Sequence, residues 1–299
     1  MGLKQNLQDI QTNLANAKTA IAQSITNKGV ECSADEALST YAEKIDNITG
    51  GGSGKYVVQD GMKFGYSSSI DMENLDFSNV TDMSYMFRNC TFSSIDLSNF
   101  DTANVTNISY MFYESSKIVS LDLSNFNTSK VTTIYNIFSG CKTLSEINLV
   151  NWNTSNLLKM NYVFANCSGL TTIDLSNFDT TKVQTMDWLF YHCSGLTNAN
   201  CSSFITTNVS SMSNIFNKCN SLEDLQFNDL GHNESCKEID LTNCSKLTKE
   251  SVLFLFEHAF DRQSAGYSTP FNIKLHATTK ALLTEDEIAI ATNKGFTIV

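Results

Sequence analysis

Leu170-Thr-Thr-Ile-Asp-Leu-Ser-Asn-Phe-Asp-Thr-Thr-Lys-Val-Gln-Thr-Met-Asp-Trp-Leu-Phe-Tyr-His-Cys193 decides the fold, because the chain repeats it. Its first half returns as Ile118-Val-Ser-Leu-Asp-Leu-Ser-Asn-Phe-Asn-Thr128, an offset of 52, or two units of 26. Three columns hold that period. The first apolar strand position runs Ile95, Leu121, Ile147, Ile173, Ala199, Leu225; the aromatic after it runs Phe100, Phe126, Trp152, Phe178, Phe204; the aromatic closing the unit runs Phe112, Phe138, Phe164, Phe190, Phe216. Phe87 precedes Phe112 by 25, so the first unit is slightly short. About six units lie between Asn74 and Phe227. Self-similarity held in three columns at once marks a stacked array.

Each unit carries two periodicities. Leu121-Asp122-Leu123 alternates apolar and polar, the pattern of a short strand with one buried face. Val131, Ile134, Ile137, Phe138 and Cys141 then fall three or four apart, which predicts a helical turn or short helix. Asn127-Thr128 just before that run are residue types that cap helix starts or turns. Gly140, Gly169 and Gly195 stand at unit ends, where the chain turns back. One such unit cannot bury its apolar row alone; stacked in register, the units share one continuous core and need caps at both ends.

The cysteines follow the same period. Cys90, Cys141, Cys167, Cys193 and Cys219 share a column, with Ser115 in the same place. No C-x-x-C metal spacing occurs, and disulfides would need adjacent units closer than strand stacking gives. The column reads as buried free thiols. Cys32, Cys201, Cys236 and Cys244 look scattered, with no assigned role.

Residues laid out this way resemble the BspA-type leucine-rich repeats, with the signature L-x-x-[IL]-D-L-S-x-F-[DN]-T-x-x-V-x-x-M-x-x-M-F-x-x-C. The resemblance covers roughly half of the chain. It implies an α/β solenoid: a leucine-rich-repeat array of about six 26-residue units. It also implies a bacterial surface adhesin or a relative that binds host or microbial surface molecules. Ala20-Ile-Ala-Gln-Ser-Ile-Thr-Asn-Lys-Gly-Val30 and Tyr41-Ala-Glu-Lys-Ile-Asp-Asn-Ile48 resemble N-terminal modules of phage tail and fibre proteins. The segment Leu282 to Val299 is similar to the closing segment of repeat proteins from gut bacteria and their phages.

The flanks read as follows. Leu3, Leu7, Ile10, Leu14, Ala17, Ile21 and Ile25 approximate a heptad pattern, which predicts a helical stalk that forms a homo-oligomer, a trimer in this reading. Lys28-Gly29 stops it, and Ser33-Ala-Asp-Glu36 opens a second helix. Thr49-Gly-Gly-Gly-Ser-Gly54 is a flexible linker. It is not a phosphate loop, since Thr49 and Tyr56 stand where such a loop needs Gly and Ser or Thr. The predicted layout is 1–48 as oligomerisation and attachment module, 49–55 as linker, 56–226 as repeat array and 227–299 as β-α cap. In the cap, Glu238–Leu241, Phe271–Leu275 and Phe296–Val299 read as strands, Lys249–Phe260 and Glu285–Asn293 as helices.

Composition removes several function classes. A formal net charge of −11 argues against nucleic acid as a partner. No apolar run of transmembrane length occurs, so no membrane insertion is expected. The N-terminus shows no apolar signal core, which favours a virion protein over a secreted one. His192, His232, His258 and His276 have no nucleophile in a recognisable motif, and no paired-carboxylate motif is present. No enzyme, cofactor or metal is expected. Sequons such as Asn104-Val-Thr106 and Asn208-Val-Ser210 follow from the repeat composition.

Two polar or aromatic columns are candidate binding surfaces. Asp96, Asp122, Asn148 and Asp174, continued by Asn200 and Gln226, lie between strand leucines; they form either a ligand face or a solvated strand face. Stacked carboxylates also raise a bound cation, diluted by the Asn replacements. Tyr85, Tyr110, Tyr162 and Trp188, with Asn136 and Asn214, lie two before the closing aromatic; they form either a row that anchors a sugar or protein, or packing between units. The leading expectation is a phage fibre or tail protein that joins other virion proteins through its N-terminus and a bacterial surface glycan or protein through its repeats. The alternative is a bacterial cell-surface adhesin.

Overall fold

The computed structural model describes residues 56–64 and 75–299. The predicted oligomerisation residues Leu3, Leu7, Ile10, Leu14 and Ile21, the linker 49–55 and Cys32 lie outside the described residues.

The described strands are short: β1 (Tyr56–Val57), β2 (Leu75–Asp76), β3 (Ser120–Asp122), β4 (Glu146–Asn148), β5 (Thr172–Asp174), β6 (Asn198–Cys201), β7 (Asp224–Phe227), β8 (Glu238–Leu241), β9 (Phe271–Leu275) and β10 (Phe296–Ile298). From β3 onward they form small parallel sheets. Leu121 pairs with Ile147, and Ile173 pairs with Ala199, which pairs with Leu225, each 26 residues on. This is the register of the first apolar column. A one-residue slip would turn the apolar side chains to solvent. The closing phenylalanines stack in the interior. Centroids are 5.3 Å apart for Phe87–Phe112, 6.0 Å for Phe112–Phe138, 5.4 Å for Phe138–Phe164, 5.5 Å for Phe164–Phe190 and 5.3 Å for Phe190–Phe216. All six rings are fully buried.

The second half of each unit is not the helix its 3,4 spacing predicts. From Ile134 to Cys141 alternate amides go to different partners. Ile134, Asn136, Phe138 and Gly140 donate to Lys159, Asn161, Val163 and Ala165 of the next unit, whereas Ile137, Ser139 and Cys141 donate three residues back in their own unit. Asn136 and Gly140 have φ of 56° and 81°, left-handed positions that interrupt a helix. The same pair recurs as Tyr110 and Glu114, Tyr162 and Asn166, Trp188 and His192, and Asn214 and Lys218. Tight turns thus place apolar residues three and four apart without helical hydrogen bonding. Parallel bridges from Asp82 through Asn107, Thr133, Lys159, Thr185 and Ser211 run along this side.

Helices occur, among the described residues, only near the C-terminus: α1 (Lys249–His258), α2 (Ala277–Lys280) and α3 (Glu285–Thr292). Thr284 and Glu287 form a reciprocal capping box that starts α3. Sheet order β10-β9-β8 is parallel, so the end of the chain is built of β-α crossings, as the sequence predicts. Ser251, 26 residues after Leu225, stands on α1 where the next strand would begin. Its hydroxyl accepts from Leu225 N at 2.7 Å and donates to Leu225 O at 3.2 Å. A helix therefore closes the β7 edge and leaves no open template there.

Candidate functional site

The strand-face column, Asp96, Asp122, Asn148 and Asp174, is exposed, as predicted. Each carries a local task. The side-chain oxygen of Asp96 accepts from Ser98 N, that of Asp122 from Ser124 N, that of Asn148 from Val150 N and that of Asp174 from Ser176 N. These are Asx turns, which bend the chain out of the strand. The amide and hydroxyl of Ser98 hold the Asp96 carboxyl below its usual range, and those of Ser124 do the same for Asp122. Asn does this work as well as Asp, which explains why both occupy the column. Among the described residues no cluster of three metal-ligating side chains occurs.

The aromatic column is half-buried and stacked. Tyr85 and Tyr110 lie 4.5 Å apart at 8°, and Tyr162 and Trp188 lie 5.7 Å apart at 3°. Asn136 should interrupt the row, yet Tyr135, one residue earlier, fills it at 5.4 Å from Tyr110 and 5.6 Å from Tyr162. Five rings therefore run without a break: Tyr85, Tyr110, Tyr135, Tyr162, Trp188. Tyr113 and Tyr191 meet the row edge-on. Lys63 and Arg88 lie over the Tyr85 ring, and Lys218 lies over Tyr191. The column alone did not reveal Tyr135, Tyr113, Tyr191 or the cations; a tyrosine directly before Asn136 was the available signal for the first.

Two features define this ribbon physically. First, Tyr85 faces Tyr110 and Tyr162 faces Trp188, while Tyr135 stands tilted between them at 46° and 53°. Burial between neighbouring rings pushes the Tyr110 and Tyr162 phenols up, with adjacent Tyr135 adding to both. Second, Tyr85, Tyr110, Tyr162 and Trp188 hold φ between 59° and 62°, a conformation that costs a non-glycine residue about 1–2 kcal/mol. Asn136 and Asn214 show what this position ordinarily favours. Ring stacking, at about 0.5–1.5 kcal/mol per pair, offsets much of that cost.

The histidines make local contacts: His232 Nδ1 lies 3.1 Å from Thr207 Oγ1, and His276 Nδ1 lies 2.7 Å from Thr278 Oγ1. His192 is exposed at a left-handed turn, with Nδ1 3.2 Å from Asn166 Oδ1. His232 Nδ1 lies 2.8 Å from Asp229 Oδ1, and its ring stacks on Phe260. No helix among the described residues is long and apolar enough to cross a membrane.

A family described as "Mycoplasma protein of unknown function, DUF285" matches the chain twice, over residues 59–167 and 116–229. The two matches together span more than half of the 299 residues. No curated protein and no solved structure matches the chain.

Proposed function

The chain belongs to the family described as Mycoplasma protein of unknown function, DUF285, and from that premise we propose that it is a non-enzymatic attachment protein whose repeats display the five-ring ribbon to a bacterial surface glycan or protein. In this reading the units wind as a BspA-like leucine-rich-repeat solenoid. The N-terminal module joins copies into a homo-oligomer and fixes it to a virion appendage of a bacteriophage.

The observation that carries the proposal is the unbroken ribbon. A ring is supplied from position 135 where the regular position carries Asn, and rings are kept at left-handed positions that favour Asn elsewhere. Strain held in a row at the surface is a mark of a functional site. Tyr and Trp are also the residues that dominate binding hot spots. A cell-surface adhesin is the second reading, favoured by the cellular source in the family's description.

The test uses the full chain and intact bacterial cells as probe. Tyr162→Asn with Trp188→Asn removes two rings using the residue that Asn136 and Asn214 already place in this column. The expected outcome is a loss of cell binding of at least about tenfold. Unchanged binding in the double variant overturns the ribbon as the attachment surface.

A further inference from the structure

The strand side of the repeats is not continuous. β3 pairs with β4, and β5 with β6 and β7, but no backbone pairing joins β4 to β5. The same two units stay closed on the turn side, where Phe164 N donates to Leu189 O at 2.9 Å and Asn166 N to Tyr191 O at 2.7 Å. Both ends of the gap are tied. Gly169 is so close to the previous unit that a Cβ there would lie 2.8 Å from Lys142 O, and Asn177 Nδ2 donates to Leu149 O at 3.0 Å and Val150 O at 3.1 Å. The result is a bounded cleft of about 440 Å³, inside the ~300–1,000 Å³ range of small-ligand sites.

We infer that this parting between β4 and β5 is a binding cleft for a non-acidic saccharide. Its chemistry selects that class. The 63% exposed Val150, with the half-buried Ile147 behind it, gives an apolar patch for the C–H face of a sugar ring, while Ile173 stays in the core beneath. Around them stand hydroxyls, amides and the carboxylates of Glu146 and Asp174, which accept and donate to ring hydroxyls. No lysine or arginine lines the cleft, so an anionic sugar meets two carboxylates with nothing to offset them. A purely apolar ligand would bury those polar groups without partners. The inference rests on the attachment reading and gives it a ligand class, at a surface separate from the ribbon.

The test is titration calorimetry and saturation-transfer NMR on the full chain with cellobiose, chitobiose, de-N-acetylated chitobiose and, as counter-probe, digalacturonate. Binding of at least one of the first three and none of the digalacturonate is expected. Val150→Arg places a bulky charge at an exposed position and should weaken binding about tenfold or more. Asp174→Asn keeps the Asx turn, as Asn148 does, and should weaken it severalfold. Absence of binding by all three non-acidic sugars, equal binding of digalacturonate, or indifference to Val150→Arg each overturns the cleft. Cell attachment that survives Val150→Arg but not the ribbon variant would keep the attachment reading while rejecting this one.

Discussion

At the scale of single residues, two buried polar columns stitch each unit to its neighbour. Cys141 Sγ lies 3.1 Å from Phe112 O, Cys167 Sγ 3.1 Å from Phe138 O, and Cys193 Sγ 3.0 Å from Phe164 O; Ser115 donates likewise to Phe87 O at 2.7 Å. Each carbonyl also accepts an amide within its own unit, so the thiol takes its second lone pair. Cys244, which looked scattered in the sequence, extends the column toward Phe216 O. Beside it runs a threonine column: Thr102, Thr128, Thr154, Thr180 and Thr206 are buried. Thr154 Oγ1 donates to Asp179 O at 3.1 Å and accepts from Asp179 N at 2.7 Å. Thr154→Val keeps the shape but removes the partner of both the amide and the carbonyl of Asp179, and an unsatisfied buried group costs about 1–3 kcal/mol. Denaturant unfolding should show a loss of that size, with Thr154→Ser close to the native chain. Equal stability of the Val and native proteins would show that the threonines only fill space.

Among elements, the C-terminal end is where local chemistry replaces the repeat. The β7 edge is satisfied by a side chain: the Ser251 hydroxyl takes both Leu225 N and O. Ser251→Ala leaves two buried backbone groups without partners, an expected cost of about 1–3 kcal/mol. Hydrogen exchange at the Leu225 amide should accelerate more than at Ala199, which sits inside the sheet. Equal acceleration at both would mean that α1 closes the end by packing alone. Most of these elements were legible beforehand. Strand columns, closing phenylalanines and the β-α end follow from burial, which periodicity encodes directly. The turn half of each unit was misread because a 3,4 spacing reports which side chains are buried and not which backbone bonds bury them. Left-handed φ at Tyr110 or Trp188 was hidden for the same reason: Gly140, Asn89, Asn136, Asn166 and Asn214 advertise it by residue type, and the aromatics do not. Of the candidate site, four rings were read from their column; Tyr135 was missed because a single column cannot register a one-residue shift.

For the whole molecule, the stacked thiols make stability depend on alkaline pH more steeply than on acid. The carboxyls held low by hydrogen bonds, such as Asp96 and Asp122, are exposed, so their contribution, present above the unfolded carboxyl range near pH 4 and lost below it, is weakened by solvent. The thiols are buried: desolvation pushes Cys90 up to about 11 and Cys193 up to about 12, and raises Cys141, Cys167 and Cys219 as well. An unfolded thiol titrates near pH 8.5. Below that value both states hold the proton and the thiols give no pH dependence. Above it the unfolded chain releases protons that the native state keeps. Stability then falls by about 1.4 kcal/mol per pH unit for each thiol exposed in the same cooperative step. Denaturant unfolding in reductant from pH 8 to 10.5 should show this decline. The variant Cys141→Ser with Cys167→Ser should show a slope shallower by two protons, because Ser115 demonstrates that a hydroxyl fits the column and serine does not titrate in this range. Tyrosines and lysines titrate equally in both proteins and cancel in the comparison. Identical slopes would mean that the column opens before the units separate, and that the thiols ionise without unfolding the stack.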